Sequence, residues 1–179
     1  MVLARRAQTT ERMALDTKRY YNRPSRVRIR VYDPLIRRIV QRFGWFQVRG
    51  GTLRVLAVRG RRSNRWYHHP VGVCTVDGQR YVISFYGDSQ WARNLRAGAE
   101  AALHARGRAE PVRAFELAGG DKRAFMEMLV RRYPAIVRVW WKVSAPELTA
   151  DEMNLLIARY PVFRIAPAET LPSAAPHDK

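Results

Sequence analysis

The chain has 179 residues, 47% hydrophobic and 27% charged, a length and balance that suit one globular domain and exclude wholesale disorder. Its 33 Lys and Arg against 15 Asp and Glu leave a net charge of +18, so a partner rich in negative charge is expected: nucleic acid, an anionic membrane surface or a polyanionic small molecule. No apolar run approaches the roughly 18 residues of a membrane span, no signal-peptide block follows the first arginines, and the single cysteine, Cys74, has no second thiol to pair with, which together predict a cytoplasmic, disulfide-free protein.

The charge is unevenly placed. Residues 1–70 hold 18 basic and 3 acidic side chains, residues 71–100 three of each, and residues 101–179 twelve and nine. The abundance of Arg over Lys leaves composition bias open as the bland explanation. Residues 1–32 show no sustained period and read as a basic arm. Asp33 as N-cap, Pro34 as first helical residue and Gly44 as stop predict a helix over 34–43, with Leu35, Ile36, Ile39, Val40 and Phe43 on one stripe. That stripe suits packing on the domain or lying on an anionic membrane.

From Thr52 the period shortens to two, and strands are expected over 53–59, 66–76 and 79–85. The Asp77-Gly78 pair predicts a type I′ hairpin between the last two, because both central positions need positive φ. A loop over 86–89 leads to a short helix over 90–97, stopped by Gly98. A second hairpin turns near Gly107, with strands over 101–106 and 108–117. After Gly119-Gly120, Asp121 is expected to cap a helix with Phe125, Met128 and Leu129 inward, limited by Pro134. Thr149 and Glu152 spell a capping box for a helix to about Tyr160, followed by a last strand over 162–165. The proline-rich residues 167–179 read as a flexible tail. Consecutive strands with short turns and helices at the corners favour a mostly β, closed or partly closed antiparallel barrel over residues 33–166.

Motifs for metal or nucleophile chemistry are weak. His68 and His69 point to opposite faces of a strand, His104 and His177 lie in other segments, and no metal site is expected. Cys74 reads as a small core residue. There is no dinucleotide glycine run and no phosphate loop of the Gly-Lys-Ser/Thr kind. Two segments suit a phosphorylated ligand: the turn Arg59-Gly60-Arg61-Arg62-Ser63-Asn64, whose guanidinium forks can grip phosphate oxygens, and the short helix around Trp91, Arg93 and Asn94. Each has a plain alternative, a solvated loop in one case and a core tryptophan in the other.

Taken in order, Gly60-Arg61-Arg62-Ser63, Pro70, Asp77-Gly78, Tyr81-Val82-Ile83, Gly87 and Trp91-Ala92-Arg93-Asn94-Leu95-Arg96-Ala97 resemble the deazaflavin-dependent nitroreductase family over roughly residues 34–165. The resemblance implies a split β-barrel of the flavin-reductase-like, FMN-binding type that binds the deazaflavin coenzyme F-420, or in some relatives FMN, and passes a hydride to a quinone, nitro compound or similar planar acceptor. It implies that Arg61, Arg62 and Ser63, helped by Arg93 and Asn94, contact the coenzyme's phosphate or acidic tail. Pro70-Val71-Gly72 and Phe85-Tyr86-Gly87 would line the ring, with Trp91 in the short helix beside them. Two positions depart from the family pattern, Asn64 where Gly is usual and Tyr67 where Arg is usual, and Arg65 is near enough to substitute for the lost cation. On the acceptor side Tyr86 and Tyr133 are the candidate catalytic residues, since an aromatic hydroxyl can stack on a planar acceptor and donate to its oxygen.

The leading expectation is therefore a hydride-transferring oxidoreductase, monomeric or homodimeric, with a small-molecule acceptor and a possible peripheral contact with anionic membrane through the basic N-terminal region. The alternatives are a non-catalytic flavin-binding module of the same fold and a basic nucleic-acid binder using Tyr20, Tyr21 and Trp45 as stacking platforms; no obligate nucleic acid is expected.

Overall fold

A computed structural model describes residues 46–48, 51–105, 107–141 and 148–168. The expected arm, the helix over 34–43 and residues 169–179 of the expected tail lie outside the described residues, while Pro167, read as the start of the tail, ends the last strand. Asp77 and Gly78 take φ of 48° and 73°, the left-handed pair that a type I′ turn requires, and they join β3 (Trp66–Val76) to β4 (Gln79–Ile83) as the sequence predicts. Before them come β1 (Phe46–Val48) and β2 (Gly51–Arg59); after them α1 (Gln90–Arg96), β5 (Ala101–Ala105) and β6 (Arg108–Glu116), turning at Gly107 with φ 72°. Three helices follow, α2 (Gly119–Arg132), α3 (Pro134–Trp141) and α4 (Ala150–Arg159), and the last strand is β7 (Val162–Pro167).

The strands pair in the order β1-β2-β3-β4-β7-β6-β5, and β5 also pairs with β2. Six antiparallel strands, β2 to β7, thereby close into a barrel. Period-two alternation sends Leu56 and Val58, Val71 and Val73, Val82, Ala101 and Leu103, Val112, Phe163 and Ile165 into the interior. Helix α1 adds Trp91, Ala92 and Leu95 to that core, with Trp91 against Phe163 at 5.9 Å between ring centroids. Each Val, Leu, Ile or Phe side chain so withdrawn from water contributes about 1.5–3 kcal/mol.

The alternate residues form a second core outside the barrel. Cys74 and Ile83 pack beneath Phe125, Met126, Leu129 and Val130 of α2, Val137 and Trp141 of α3, and Met153 and Leu156 of α4. Cys74 is the buried packing residue expected; burial pushes its thiol up to about 11. Two expectations for α2 need correction. Asp121 is not its cap, because the helix begins at Gly119 after Ala118, which makes no side-chain cap bond, and Asp121 sits in the first turn. The fully buried methionine is Met126, while Met128 packs at the edge. Pro134 ends α2 as expected but also opens α3, a helix the sequence reading did not foresee. The Thr149–Glu152 capping box is present, Thr149 Oγ1 accepting from the Glu152 amide and Glu152 accepting from the Thr149 amide at 2.9 Å.

Candidate active site

The barrel is not equally paired all round. The β2–β3 ladder runs from Thr52 opposite Val73 to Arg59 opposite Trp66, whereas β4 pairs with β3 only from Val73 opposite Val82 to Val76 opposite Gln79. Residues 66–72 of β3 therefore pair with β2 alone, and the seam opens at Gly72, where β4 ends. Pro70, which has no amide proton to give, is tolerated on a strand with such an edge. Pro70 and Gly72 point out of the barrel; Gly72 is exposed, with nothing within 4 Å of the position a Cβ would take. Val71 between them points the other way, into the barrel core, 6% exposed.

Past β4 the chain makes the turn 84–87. The Gly87 amide donates to the Ser84 carbonyl at 3.0 Å, and Gly87 takes φ of 73°, a conformation glycine adopts without cost. Ser84, 1% exposed, donates its hydroxyl to the Gly87 carbonyl at 2.6 Å and lies 2.8 Å from Ser89 Oγ. Ser89 in turn caps α1, accepting from the Ala92 amide. Phe85 turns toward the helical layer, 5.8 Å from Trp141, and Tyr86 is half-buried in the same turn. Tyr133 lies at the α2–α3 junction, packed on the helical core with the Arg132 guanidinium 5.9 Å from its ring centroid.

The 60–65 turn is closed by two backbone bonds, the Asn64 amide to the Gly60 carbonyl and the Gly60 amide to the Arg65 carbonyl, both 2.8 Å. Asn64 has φ 55°, which explains how it stands where glycine is expected: asparagine is among the few side chains that tolerate this region. Tyr67 occupies space that a Cβ on Gly60 would enter, and its hydroxyl lies 3.1 Å from Ser63 Oγ. Arg61 Nη1 donates to Asn94 Oδ1 at 2.7 Å and to Gln90 Oε1 at 3.2 Å. Asn94 is 5% exposed and so fixes the turn to the buried side of α1.

The arginines divide sharply. Arg59 is ion-paired to Glu100 at 2.9 Å; Arg93 bonds Asp88 at 2.8 Å, and Arg96 bridges Asp88 and Glu116. These bonds hold the Asp88 carboxyl below its ordinary range, with Arg96 the main cause. Between them, Arg61, Arg62 and Arg65 have no carboxylate partner among the described residues. Of the expected anion ligands, then, Arg61, Arg62 and Ser63 share one exposed turn. Asn94 serves that turn from beneath, Arg93 is engaged by Asp88, and Trp91 is core.

Sequence reasoning missed Gln90 and Ser84, neither of which has a local pattern. It also separated His68 from His104, which the structure brings together: β2 pairs with both their strands, and the rings meet edge-on at 5.7 Å. Among the described residues no group of three or more metal-ligating side chains exists. On the opposite face of β3, burial and then the charge of His68 push His69 down to about 4.

Residues 26–145 match the family model described as F420H(2)-dependent quinone reductase, and the chain belongs to this family. It is a deazaflavin-dependent oxidoreductase whose coenzyme is F-420. No curated protein matches the chain. Among solved structures, one titled "Structure of F420-H2 Dependent Reductase (FDR-A)" is 17% identical, with 64% of this chain and 93% of that chain covered and a TM-score of 0.43. A FAD-binding protein from Mesorhizobium loti is 20% identical, with 64% and 80% covered and a TM-score of 0.41. A putative pyridoxamine 5'-phosphate oxidase from Listeria innocua is 10% identical, with 65% and 84% covered and a TM-score of 0.40.

The residues present fit such a coenzyme. A turn with three arginines that no carboxylate among the described residues neutralises suits its anionic end, and the open-edged stretch of β3, with clear space over Gly72, suits a flat ring. No helix among the described residues is long and apolar enough to cross a membrane.

Proposed function

We propose that the protein passes a hydride from reduced F-420 to a quinone, nitro compound or similar planar acceptor. In this reading Arg61, Arg62 and Ser63 grip the coenzyme's phosphate and acidic tail, and Pro70, Gly72 and the 84–87 turn border its ring. The observation that carries it is the un-neutralised arginine turn beside the unpaired edge of β3. The coenzyme supplies the hydride; the chain supplies orientation and electrostatics. Arg61 and Arg62 fix one end by forked, charge-assisted bonds. The Ser84–Gly87 turn, held by the buried Ser84 hydroxyl, fixes the strand end that carries Tyr86. Reducing a quinone to the quinol takes one proton besides the hydride, and the Tyr86 and Tyr133 hydroxyls are our choice of donors to the acceptor oxygen. The lone, buried Cys74 agrees with a cytoplasmic setting.

The test is to titrate purified protein with reduced F-420 and with FMN, then follow coenzyme oxidation with a quinone and with a nitro compound in turn. Tight binding of F-420 with acceptor-dependent oxidation supports the reading. Binding of either coenzyme without turnover over a broad acceptor panel favours a non-catalytic flavin-binding module, and preference for FMN moves the coenzyme assignment to the alternative.

A further inference from the structure

We propose that Gln90 and Asn94 are positioning residues that hold the Arg61 guanidinium in place without neutralising it, so that its full charge is presented to the coenzyme's anionic end. The proposal rests on the reading of the 60–65 turn as the anion grip. Arg61 Nη1 donates to two oxygens, Asn94 Oδ1 at 2.7 Å and Gln90 Oε1 at 3.2 Å, and both belong to neutral amides. The Arg61 backbone amide also points at Asn94 Oδ1, 3.5 Å away, so one buried side chain sets both the backbone and the head group of this residue. The Asn94 main chain is itself fixed, because its backbone carbonyl accepts from the Ala99 amide at 3.1 Å where α1 ends. Among the described residues both side-chain bonds of Arg61 use Nη1. The Nε and Nη2 protons, which form the flat edge that matches two phosphate oxygens, are left for a ligand.

The contrast lies a few residues away. Arg59, Arg93 and Arg96 are held by carboxylates, at 2.9, 2.8 and 2.6 Å to Glu100, Asp88 and Glu116. A carboxylate holds an arginine more tightly than an amide does, but it also cancels most of the potential that an incoming anion would feel. At Arg61 the structure has the other arrangement: two neutral amide oxygens hold one guanidinium nitrogen without an opposing charge. An amide pair therefore suits an arginine that must be fixed in advance and still attract an anion. Carboxylate pairs suit arginines that tie secondary structure together, as Arg96 ties α1 to β6.

A merely structural role and a charge-preserving role order the variants of Gln90 differently. If Gln90 only stiffens the turn, Gln90→Glu strengthens the bond to Arg61 and binds coenzyme at least as well as wild type, with Gln90→Ala weakest. If neutrality matters, Gln90→Glu is weakest and Gln90→Ala lies between. The experiment measures binding of reduced F-420 and thermal melting for Arg61→Ala, Gln90→Ala, Gln90→Glu and Asn94→Asp. The expected result is that Gln90→Glu binds on the order of tenfold more weakly with an unchanged or raised melting temperature. Its KM for coenzyme rises while kcat at saturation is retained, and the gap to Gln90→Ala narrows with added salt. Asn94→Asp is expected to follow Gln90→Glu. If Arg61→Ala binds like wild type, the anion-grip reading itself fails. If Arg61→Ala loses affinity but a folded Gln90→Glu binds as tightly as wild type, or more tightly than Gln90→Ala, the grip stands and the neutrality proposal is overturned.

Discussion

Ser84, at the end of β4, lies 2.8 Å from Ser89, the N-cap of α1, so one hydroxyl pair joins the strand that stops at the barrel's seam to the helix that carries Asn94. Ser84 is 1% exposed and also donates to the Gly87 carbonyl. Replacing it by Ala leaves that carbonyl with the Ser89 amide as partner and costs about 1 kcal/mol, the usual net worth of a buried neutral hydrogen bond. We expect Ser84→Ala to lower the melting temperature by a few degrees and to raise KM for the coenzyme. An unchanged KM would show that the seam does not depend on this link.

Arg61 and Arg62 are expected to act chiefly on binding, with a smaller cost to folding from the lost Arg61 bond to Asn94. Both side chains are exposed and neither has a carboxylate partner among the described residues. Losing a charge-assisted contact costs about 1.5–3 kcal/mol. The double Ala variant should therefore bind F-420 at least a hundredfold more weakly, with a melting temperature lowered by no more than the few degrees that the lost Arg61–Asn94 bond accounts for. Affinity within threefold of wild type removes the turn from the site.

Asn94 is placed differently, since its side chain is buried and serves the turn from inside. Asn94→Ala deletes the acceptor of the 2.7 Å bond from Arg61 and opens a small gap under the turn. Stability should fall by about 1–3 kcal/mol, and coenzyme affinity should fall with it because Arg61 is no longer fixed. Titration and melting of the same sample check both; a lowered melting temperature with intact affinity makes Asn94 a purely structural residue.

The chain announces its local geometry well and its long-range pairings poorly. Asp77-Gly78 and Thr149–Glu152 each complete their pattern within four residues, and both form as read. Helix α3 was missed because Pro134 reads equally as the end of one helix and the first residue of the next, and only the burial of Val137 and Trp141 decides between them. The inward stripe of α2 runs through Phe125, Met126, Leu129 and Val130, broader than a one-sided pattern, because α2 meets both the sheet, through Tyr81 at 4.7 Å from Phe125, and the neighbouring helices. At the site, the arginine turn was legible from composition. Which arginines keep their charge was not, because Glu100, Asp88 and Glu116 reach them through strand register and helix placement.

Tyr86 and Tyr133 are tested by removing only the hydroxyl. Tyr→Phe keeps the ring, so packing of Tyr133 on the helical core and of Tyr86 in the 84–87 turn is preserved. A hydroxyl that donates to the acceptor as charge develops should be worth about tenfold or more in kcat. We expect Tyr86→Phe to show the larger loss, since Tyr86 follows directly from the strand end at the seam. If both variants match wild type with every quinone tried, neither hydroxyl takes part.

His69 gives the protein a pH dependence of stability with a defined sign. Burial, and then the neighbouring charge of His68, push it down from 6.5 to about 4, so the folded protein keeps it neutral. Above pH 6.5 it is neutral in both states and has no effect. As pH falls through 6.5 the unfolded chain takes up a proton that the folded chain refuses, and stability is lost until about pH 4, where the folded state also protonates. At pH 5 the loss is about 2 kcal/mol. The carboxylates with lowered values, Asp88 and Glu110, contribute the same sign but only below their unfolded range near pH 4, so among the described groups with a shifted value His69 is the one that acts between pH 6.5 and 4.5. Melting wild type and His69→Asn at pH 7 and pH 5 checks this: the wild type should lose several degrees more than the variant, and equal losses would assign the pH dependence to other groups.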